Sequence, residues 1–226
     1  MILTLAYSEK AFFLKNSLDE AERQRAASFR FAHLRDAYVF AHAFKRSLLS
    51  FYYPPLLAAE WCFQTAKSGK PFLVTGPAFN LSHSVESVAI AFVESLQQKA
   101  VGVDIECYRD MPDLESMIDM VCHPDEKKQL DLCGDRQASF FCLWTVKEAL
   151  LKANGSGLMD DLNQINCAPS LVNGASYGLL WQGDQYRLQS FHFPWGVISL
   201  AWLETLGVSD IQLVDWTSGA PVIKVR

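Results

Sequence analysis

A six-residue acidic stretch constrains the fold of this chain most strongly. Residues 101–106 read VGVDIE, so a strand there places Gly102, Asp104 and Glu106 on one face and three apolar side chains on the other. The apolar face predicts burial. Two carboxylates on one strand face repel each other unless a cation lies between them, and Gly102 lets backbone or ligand approach closely. The alternative is an exposed acidic strand end.

A second stretch, residues 144–152, reads WTVKEALLK and has the pattern of a helix. Trp144, Glu148 and Lys152 then share one stripe at i, i+4 and i+8. A solvated Glu–Lys pair is the plain interpretation of this spacing, but an aromatic residue on the same stripe indicates that the stripe is covered. Lys147 lies one position off the stripe, where it serves either a phosphate or water.

If this helix lies beside the strand, the carboxylates of Asp104, Glu106 and Glu148 converge, with Lys152 one turn away. Magnesium prefers oxygen ligands, few protein carboxylates and substrate phosphates that complete its shell. The sequence has neither a Walker loop nor a dinucleotide-binding glycine fingerprint. We therefore expect a magnesium–phosphate site held by side chains.

Composition narrows the class of protein. The chain has 226 residues, half of them apolar and 20% charged, which predicts a folded core. A formal net charge of -5 argues against broad nucleic-acid binding. Residues 1–7 predict a strand rather than a signal peptide, and no apolar run is long enough for a bilayer. We expect a cytoplasmic protein that binds no membrane.

Six cysteines are scattered without the spacing of a metal or disulfide framework. Cys122 and His123, with Cys133, come nearest to a zinc cluster. Buried thiols of a cytosolic protein are the simpler interpretation.

Periodicity predicts an α+β fold. Ser17 and Glu20 form a capping-box pattern that predicts a helix to about Ser28. Asp135 caps a long helix that ends at Gly155. The other predicted helices span 32–50, 112–121 and 124–132, and the predicted strands span 79–83, 88–94, 101–106, 177–181, 185–193, 197–203 and 211–216.

A faint internal repeat relates the two halves. Residues 88–94 match 198–204 in pattern, and residues 44–49 match 146–151. We therefore expect two similar α+β halves about a pseudo-twofold axis, with the site in the cleft between them.

The predicted halves span 1–100 and 101–226. In this repeat Arg46 occupies the place that Glu148 holds in the second half, so both are expected to face the cleft.

Polar residues of the first half complete the predicted site. Lys70 lies in a Gly-Lys-Pro turn, where it is either solvated or bound to phosphate. Ser82 and His83 end a strand, but no nucleophile elbow accompanies them, so a hydrolase triad is poorly supported. Donation to a phosphate explains this pair better.

Four motifs in this order resemble one family. They are Gly69-Lys70-Pro71, the FNLSHS run at 79–84, the GVDIE run at 102–106, and 141–158 with its Trp, Lys-Glu-Ala, Lys and Gly-x-Gly-Leu. Together they resemble the 4′-phosphopantetheinyl transferases of the surfactin-synthetase-activating type, in the holo-carrier-protein synthase superfamily. The resemblance covers roughly residues 17–160, and the last sixty or so residues agree only in β-rich character.

The resemblance implies a reaction. The phosphopantetheine arm of coenzyme A moves to a serine of an apo acyl or peptidyl carrier protein, and 3′,5′-ADP leaves. Carriers of this kind serve fatty-acid, polyketide or nonribosomal-peptide synthesis. The enzyme is expected to be a monomer, built as a pseudo-dimer.

The resemblance also implies residue roles. Asp104, Glu106 and Glu148 would hold Mg²⁺, or Mn²⁺, on the pyrophosphate. Glu148 would act as the general base, with Lys152 and Asp104 as the other catalytic residues. Coenzyme A would be bound by Arg46, Lys70, Ser82, His83, Lys147 and Lys152, and Arg30 and Arg35 are further candidates for the nucleotide.

Two alternatives to the transferase stay open. One is a catalytically inactive coenzyme A-binding homologue, and the other is a Mg²⁺-dependent phosphodiester hydrolase. An acidic helical carrier would need a basic and apolar docking surface. Met111, Leu114, Met117 and Met120 are either part of that surface or core residues at helical spacing.

Overall fold

The structure is a computed structural model that describes residues 1–9, 17–66, 69–95, 101–157, 162–171 and 176–224. It confirms an α+β fold with two main sheets. The helices are α1 (Glu20–Ala27), α2 (Ala32–Tyr52), α3 (Leu114–Val121), α4 (Pro124–Leu130) and α5 (Arg136–Asn154). The strands are β1 (Ile2–Ser8), β2 (Gln64–Thr65), β3 (Pro71–Phe72), β4 (Ala78–Ser84), β5 (Ser87–Val93), β6 (Val101–Cys107), β7 (Tyr177–Trp181), β8 (Asp184–Phe193), β9 (Gly196–Leu203), β10 (Asp210–Asp215) and β11 (Val222–Lys224).

The described helices are either too short or too polar to cross a bilayer.

The predicted helices and strands agree with the observed ones to within two residues at each end. The short strands β2, β3 and β11 were not predicted.

The first sheet contains strands from both ends of the chain. Its order is β11-β10-β1-β5-β4, with β1 parallel to β10 and antiparallel to β5. The predicted boundary at residue 100 falls on residues 96–100, which lie outside the described part of the chain. The segment 101–226 supplies every strand of the second sheet, and it also adds β10 and β11 to the first sheet.

The second sheet is antiparallel, in the order β6-β9-β8-β7. The two sheets pack face to face over an apolar core that includes Leu5, Val103 and Leu200. One helix covers the outer face of each sheet, with α2 on the first and α5 on the second. The order of the layers is therefore helix, sheet, sheet, helix.

The acidic strand β6 lies directly against α5, as its alternation predicts. Val103 and Ile105 enter the core between the sheets. On the opposite face, a Cβ built on Gly102 would overlap the carbonyl oxygen of Ala149 and the amide nitrogen of Ala153. Only glycine therefore permits this backbone approach.

We predict that Gly102→Ala lowers the free energy of unfolding by about 3 kcal/mol, because the added methyl group must displace the α5 backbone. Urea denaturation measures this loss. Gly134→Ala is the matched control, since no atom lies within 4 Å of the methyl group it adds. Equal stabilities of the two variants would contradict the close approach.

A buried ionic cluster fixes α1 against α2. Glu22 on α1 accepts hydrogen bonds from Lys45 Nζ at 2.9 Å and Arg46 Nε at 2.5 Å. It also lies 2.8 Å from His42 Nδ1, and the second amino group of Arg46 pairs with Asp19. Because α1 is polar over most of its surface, these charges rather than apolar packing hold it in place.

The capping box of α1 lies two residues beyond its predicted position. Asp19 Oδ1 accepts from the amide of Glu22 at 2.8 Å, and Glu22 Oε2 accepts from the amide of Asp19 at 3.4 Å. The prediction of Ser17 and Glu20 as the box was wrong. Asp19 has a second oxygen for Arg46, which explains why the later pair caps the helix.

The cluster makes stability sensitive to acid. Burial raises the pKa of Glu22, but hydrogen bonds and charges from His42, Lys45 and Arg46 outweigh it and hold that pKa well below its ordinary value. Because the pKa of Glu22 is lower in the folded state than in the unfolded chain, its ionised carboxylate stabilises the fold at pH values above the ordinary pKa of 4.5. This contribution is lost as the pH falls from 4.5 toward the pKa of the folded state.

We therefore predict that Glu22→Gln costs about 3 kcal/mol at pH 7, because it leaves buried cations without their partner. The variant should also lose less stability than the wild type as pH falls below about 4.5. Denaturant unfolding at pH 7, 5 and 3 measures both effects. Parallel pH curves for the two proteins would contradict the assignment.

Candidate active site

Side chains, rather than a backbone ladder, join the two sheets beside the predicted site. β4 and β6 are edge strands of different sheets. Asn80 Oδ1 accepts from the amide of Val103 at 2.8 Å, and Ser82 Oγ donates to Asp104 Oδ1 at 2.7 Å. Ser84 makes a third such contact further along β4. Alternate residues of β4 therefore face β6, and we call this row of contacts the seam.

Asp104 and Lys152 form an ion pair at the seam. Lys152 Nζ lies 2.6 Å from Asp104 Oδ1 and 3.0 Å from Ser82 Oγ. Burial raises the pKa of Asp104, while the charge and hydrogen bond of Lys152 oppose that rise. The structure thus brings a strand carboxylate and a helix lysine together, as the sequence predicts.

Glu148 lies one helical turn before Lys152. Its Oε1 is buried and has no hydrogen-bond partner among the described residues. Burial raises the pKa of Glu148, and the nearby charge of Asp104 raises it further. A buried oxygen without a donor is costly in a folded protein, so it requires an explanation.

Glu106 is the third predicted carboxylate. Its Oε2 accepts from Ser84 Oγ at 2.7 Å and from Arg109 Nη1 at 2.6 Å. Arg109 is about half exposed and also lies over the ring of Phe141. Glu106 is therefore held by the seam on one side and by a surface cation on the other.

All three carboxylates line one pocket of about 360 Å³ at the seam. They are not spaced as a finished ligand set: the described residues include no group of three acidic, histidine or cysteine side chains that could hold a metal ion. Two of the carboxylates contact Lys152 and Arg109 instead. The lining residues are Leu81, Ser82, His83, Asp104, Ile105, Glu106, Trp144, Glu148 and Lys152.

Lys70 joins its turn to β6 and α5. Its Nζ donates to the carbonyl of Val101 at 2.9 Å and to that of Lys152 at 2.7 Å. Burial and the charge of Lys152 lower the pKa of Lys70 to about 8. It lines a second pocket of about 300 Å³, which adjoins the first and shares Leu81, Glu148 and Lys152 with it.

His83 is exposed on the first pocket, next to the Ser82–Lys152 contact. Partial burial and the positive charge of Lys152 lower its pKa, while Asp104 and Glu106 oppose that effect. A ligand in the first pocket would therefore meet the imidazole of His83.

Residues 100–221 match the family model of the 4′-phosphopantetheinyl transferase superfamily. This chain belongs to that superfamily. The matched segment includes β6 and α5, and hence Asp104, Glu106, Glu148 and Lys152. The first-half residues of the site lie outside it.

Named members of the superfamily are similar to this chain. The 4′-phosphopantetheinyl transferase HetI of Nostoc sp. is 34% identical over 152 residues, 64% of this chain and 62% of HetI. The transferase gsp of Aneurinibacillus migulanus is 30% identical over 67% of this chain and 62% of gsp. Sfp of Bacillus subtilis is 29% identical over 65% of this chain and 69% of Sfp. The chain thus spans about three fifths of the length of HetI and gsp.

Lys147 does not face the pocket at the seam. Its ammonium donates to the carbonyls of Val121 and Leu162, at 2.7 and 3.0 Å, and pairs with Glu126 at 2.7 Å. Both charged side chains are fully buried. The expectation that Lys147 binds coenzyme A is therefore corrected, because all three of its donors are already used.

Arg46 is likewise not available to a ligand. It is fully buried, and besides the carboxylates of α1 it binds the carbonyls of Ala58 and Trp61 at 3.0 and 2.8 Å. The ring of Phe63 lies 4.9 Å from its guanidinium carbon. The expectation that Arg46 holds a phosphate opposite Glu148 is corrected, since its guanidinium is enclosed within the first half.

The other residues predicted to bind the nucleotide or the carrier differ in their exposure. Arg30 and Arg35 are exposed at the start of α2, where Arg35 pairs with Asp36. Met111, Leu114 and Met117 are partly buried against the apolar cluster between α5 and the second sheet, whereas Met120 is exposed. All four residues are thus at least partly exposed, and a docking surface there stays a prediction.

The zinc alternative gains no support. Cys122 is buried, and His123 Nδ1 accepts from the amide of Asp125 at the start of α4. The described residues hold no metal-binding group that includes them. All six cysteines are free thiols.

Three polar residues of the site were not assigned from the sequence. Asn80 and Ser84 flank Ser82 at two-residue spacing, and this polar alternation on a strand was the available signal. Arg109 follows the acidic strand, and no local pattern distinguishes it from other surface arginines. Its contact with Glu106 arises only because the chain turns after β6.

We predict that Lys70→Met lowers the free energy of unfolding by about 2 kcal/mol, because two carbonyls lose a charged donor. Chemical denaturation measures the change. Lys128→Met is the matched control, since that side chain is about three-quarters exposed on α4. A variant as stable as the control would show that the bridge contributes little.

Proposed function

We propose that this protein transfers the 4′-phosphopantetheine moiety of coenzyme A to a serine of an apo acyl or peptidyl carrier protein and releases 3′,5′-ADP, with Mg²⁺. Family membership supports the reaction class. The observation that carries the proposal for this chain is the buried, unpartnered oxygen of Glu148 in a pocket that also holds the Asp104–Lys152 pair.

The residues present fit a divalent cation. Asp104, Glu106 and Glu148 offer only carboxylate oxygens, the ligands that Mg²⁺ and Mn²⁺ prefer. A cation would satisfy the orphaned Glu148 oxygen and offset the repulsion that raises the pKa of this carboxyl. Their present spacing means that these side chains must rotate to share one ion. When bound, the ion would neutralise charge on the pyrophosphate and align the leaving group.

Glu148 is the proposed general base. Burial raises its pKa toward the pH at which a base accepts protons most effectively. Its carboxylate lines the pocket and would take the proton from the carrier serine as that oxygen attacks the phosphorus. Asp104 contributes by holding Lys152 at 2.6 Å.

Lys152 is the proposed stabiliser of the transferred group. Two of its contacts are made within the seam, to Asp104 and Ser82. An ammonium group has three donors, so one is left for a phosphoryl oxygen. This position lets Lys152 balance charge as the bond to the leaving phosphate breaks.

Coenzyme A would lie across the two adjoining pockets. Ser82, His83 and Lys152 face its phosphates in the first pocket. Lys70 and the more apolar walls of the second pocket, including Pro71 and Leu151, suit the rest of the molecule. A long ligand in this pose would lie along the seam, between β4 and α5.

We also propose how the two halves of the chain are arranged. Two similar halves would be related by a pseudo-twofold axis, and a helix outside each sheet is consistent with that relation. The halves divide near residue 100, apart from β10 and β11. The enzyme would act as a monomer on acidic carriers. Six free thiols are in keeping with a cytoplasmic location. A net charge of -5 is in keeping with a protein that binds no nucleic acid.

Incubation with coenzyme A, Mg²⁺ and an apo carrier protein tests the reaction. We expect the carrier to gain one phosphopantetheine on its serine, read by intact-protein mass spectrometry, and chelation of the metal to prevent the gain. Binding of coenzyme A without transfer would favour the inactive homologue. Cleavage of coenzyme A without carrier would favour the hydrolase.

We predict that Glu148→Gln lowers kcat at least 100-fold while the fold stays intact, because the amide cannot accept the serine proton. Steady-state transfer kinetics and thermal unfolding measure the two properties. Glu204→Gln, at a half-exposed position after β9, is the matched control and should be fully active. Near-normal turnover by the Glu148 variant would remove it as the base.

A further inference from the structure

Ser84 connects the seam to one of the proposed metal ligands. It is buried at the end of β4, with 8% of its surface exposed. Its hydroxyl lies 2.7 Å from Glu106 Oε2 and 3.3 Å from the amide nitrogen of Cys107. The amide can only donate, so the hydroxyl accepts from Cys107 and its own proton points to Glu106.

This contact determines which oxygen of Glu106 is free. Ser84 and Arg109 both donate to Oε2. No described residue donates to Oε1, and Glu106 lines the first pocket. A carboxylate held by one oxygen presents the other, so the Ser84 contact orients Glu106 toward the pocket.

The contact also crosses between the two sheets. Ser84 belongs to the first sheet, and Glu106 and Cys107 belong to the second. Asn80 fixes the register of the two strands at the other end of the seam, through the amide of Val103. A small change in the packing of the sheets would therefore reach Glu106 through Ser84.

We propose that Ser84 is a positioning residue that directs the free Oε1 of Glu106 at the pocket in which a divalent ion would bind. The inference rests on the proposed function, in which Glu106 is a ligand of the divalent ion. Residues that orient metal ligands change metal affinity by about 10–100-fold when they are replaced. Ser84 does not line the first pocket, so it would act through Glu106 rather than on a ligand directly.

The test measures Mn²⁺ binding by electron paramagnetic resonance in the presence of coenzyme A. Ser84→Ala should weaken Mn²⁺ binding at least tenfold. Ser84→Thr keeps the hydroxyl and should restore most of the affinity. Ser84→Cys keeps the size with a weak donor and should be intermediate, which provides a readout if the alanine variant does not fold.

Ser87→Ala is the matched control. Ser87 is a buried serine of the same hairpin; its hydroxyl donates to the carbonyl of Glu9 and accepts from Cys107 Sγ, so it contacts the strand beside Glu106 but not Glu106 itself. Its replacement should leave Mn²⁺ affinity unchanged. Affinity for coenzyme A without metal should be the same in wild type and Ser84→Ala, because the hydroxyl does not bind the co-substrate.

A double-mutant cycle separates positioning from a general structural effect. In a Glu106→Gln background, Ser84→Ala should cause no further loss of Mn²⁺ affinity. Wild-type affinity in Ser84→Ala, or an equal loss in both backgrounds, would overturn the positioning role alone. A wild-type protein that neither binds Mn²⁺ nor transfers phosphopantetheine would overturn the proposed function itself.

Discussion

Backbone atoms of α5 lie directly against β6 at Gly102, and this contact brings the chemistry together. The carbonyl of Ala149 and the amide of Ala153 occupy the space that any side chain at position 102 would need. Glu148 and Lys152 immediately precede these two residues on the helix. Their side chains therefore reach the strand face that Gly102, Asp104 and Glu106 share.

The site that results is a balance of charges in a poorly solvated cleft. Burial of Asp104 and Glu148 disfavours their ionised forms. Lys152 and Arg109 each neutralise one carboxylate, and Glu148 keeps a buried oxygen without a partner. Such an arrangement favours the entry of further positive charge, while the lysines at its edge favour phosphate.

Sequence reasoning succeeds here where a periodic pattern decides the outcome. The alternation of β6 and the stripe on α5 predicted that Asp104 and Lys152 meet and that Glu106 and Glu148 lie in the same pocket, because both periods follow from backbone geometry. It failed for Lys147, which lies one position off the stripe. A single step on a helix turns a side chain by about 100°, and this step carries Lys147 to Glu126 instead of the cleft.

Arg46 shows a second limit of prediction from sequence. Its position within the repeat was recognised, but its partners Asp19 and Glu22 lie at a different helix and leave no periodic trace. The capping box of α1 was misplaced for the same reason, since Arg46 selects Asp19. Contacts between distant parts of the chain therefore decide the details that local patterns leave open.

The pairing of β1 with β10 has a consequence for biosynthesis. Leu5 and Leu213 are direct neighbours in that parallel ladder, although about two hundred residues separate them along the chain. Pairing over such a separation forms slowly and only after the later strand has left the ribosome. Until then one edge of β1 is open, and it exposes a row of backbone groups that can pair with another chain.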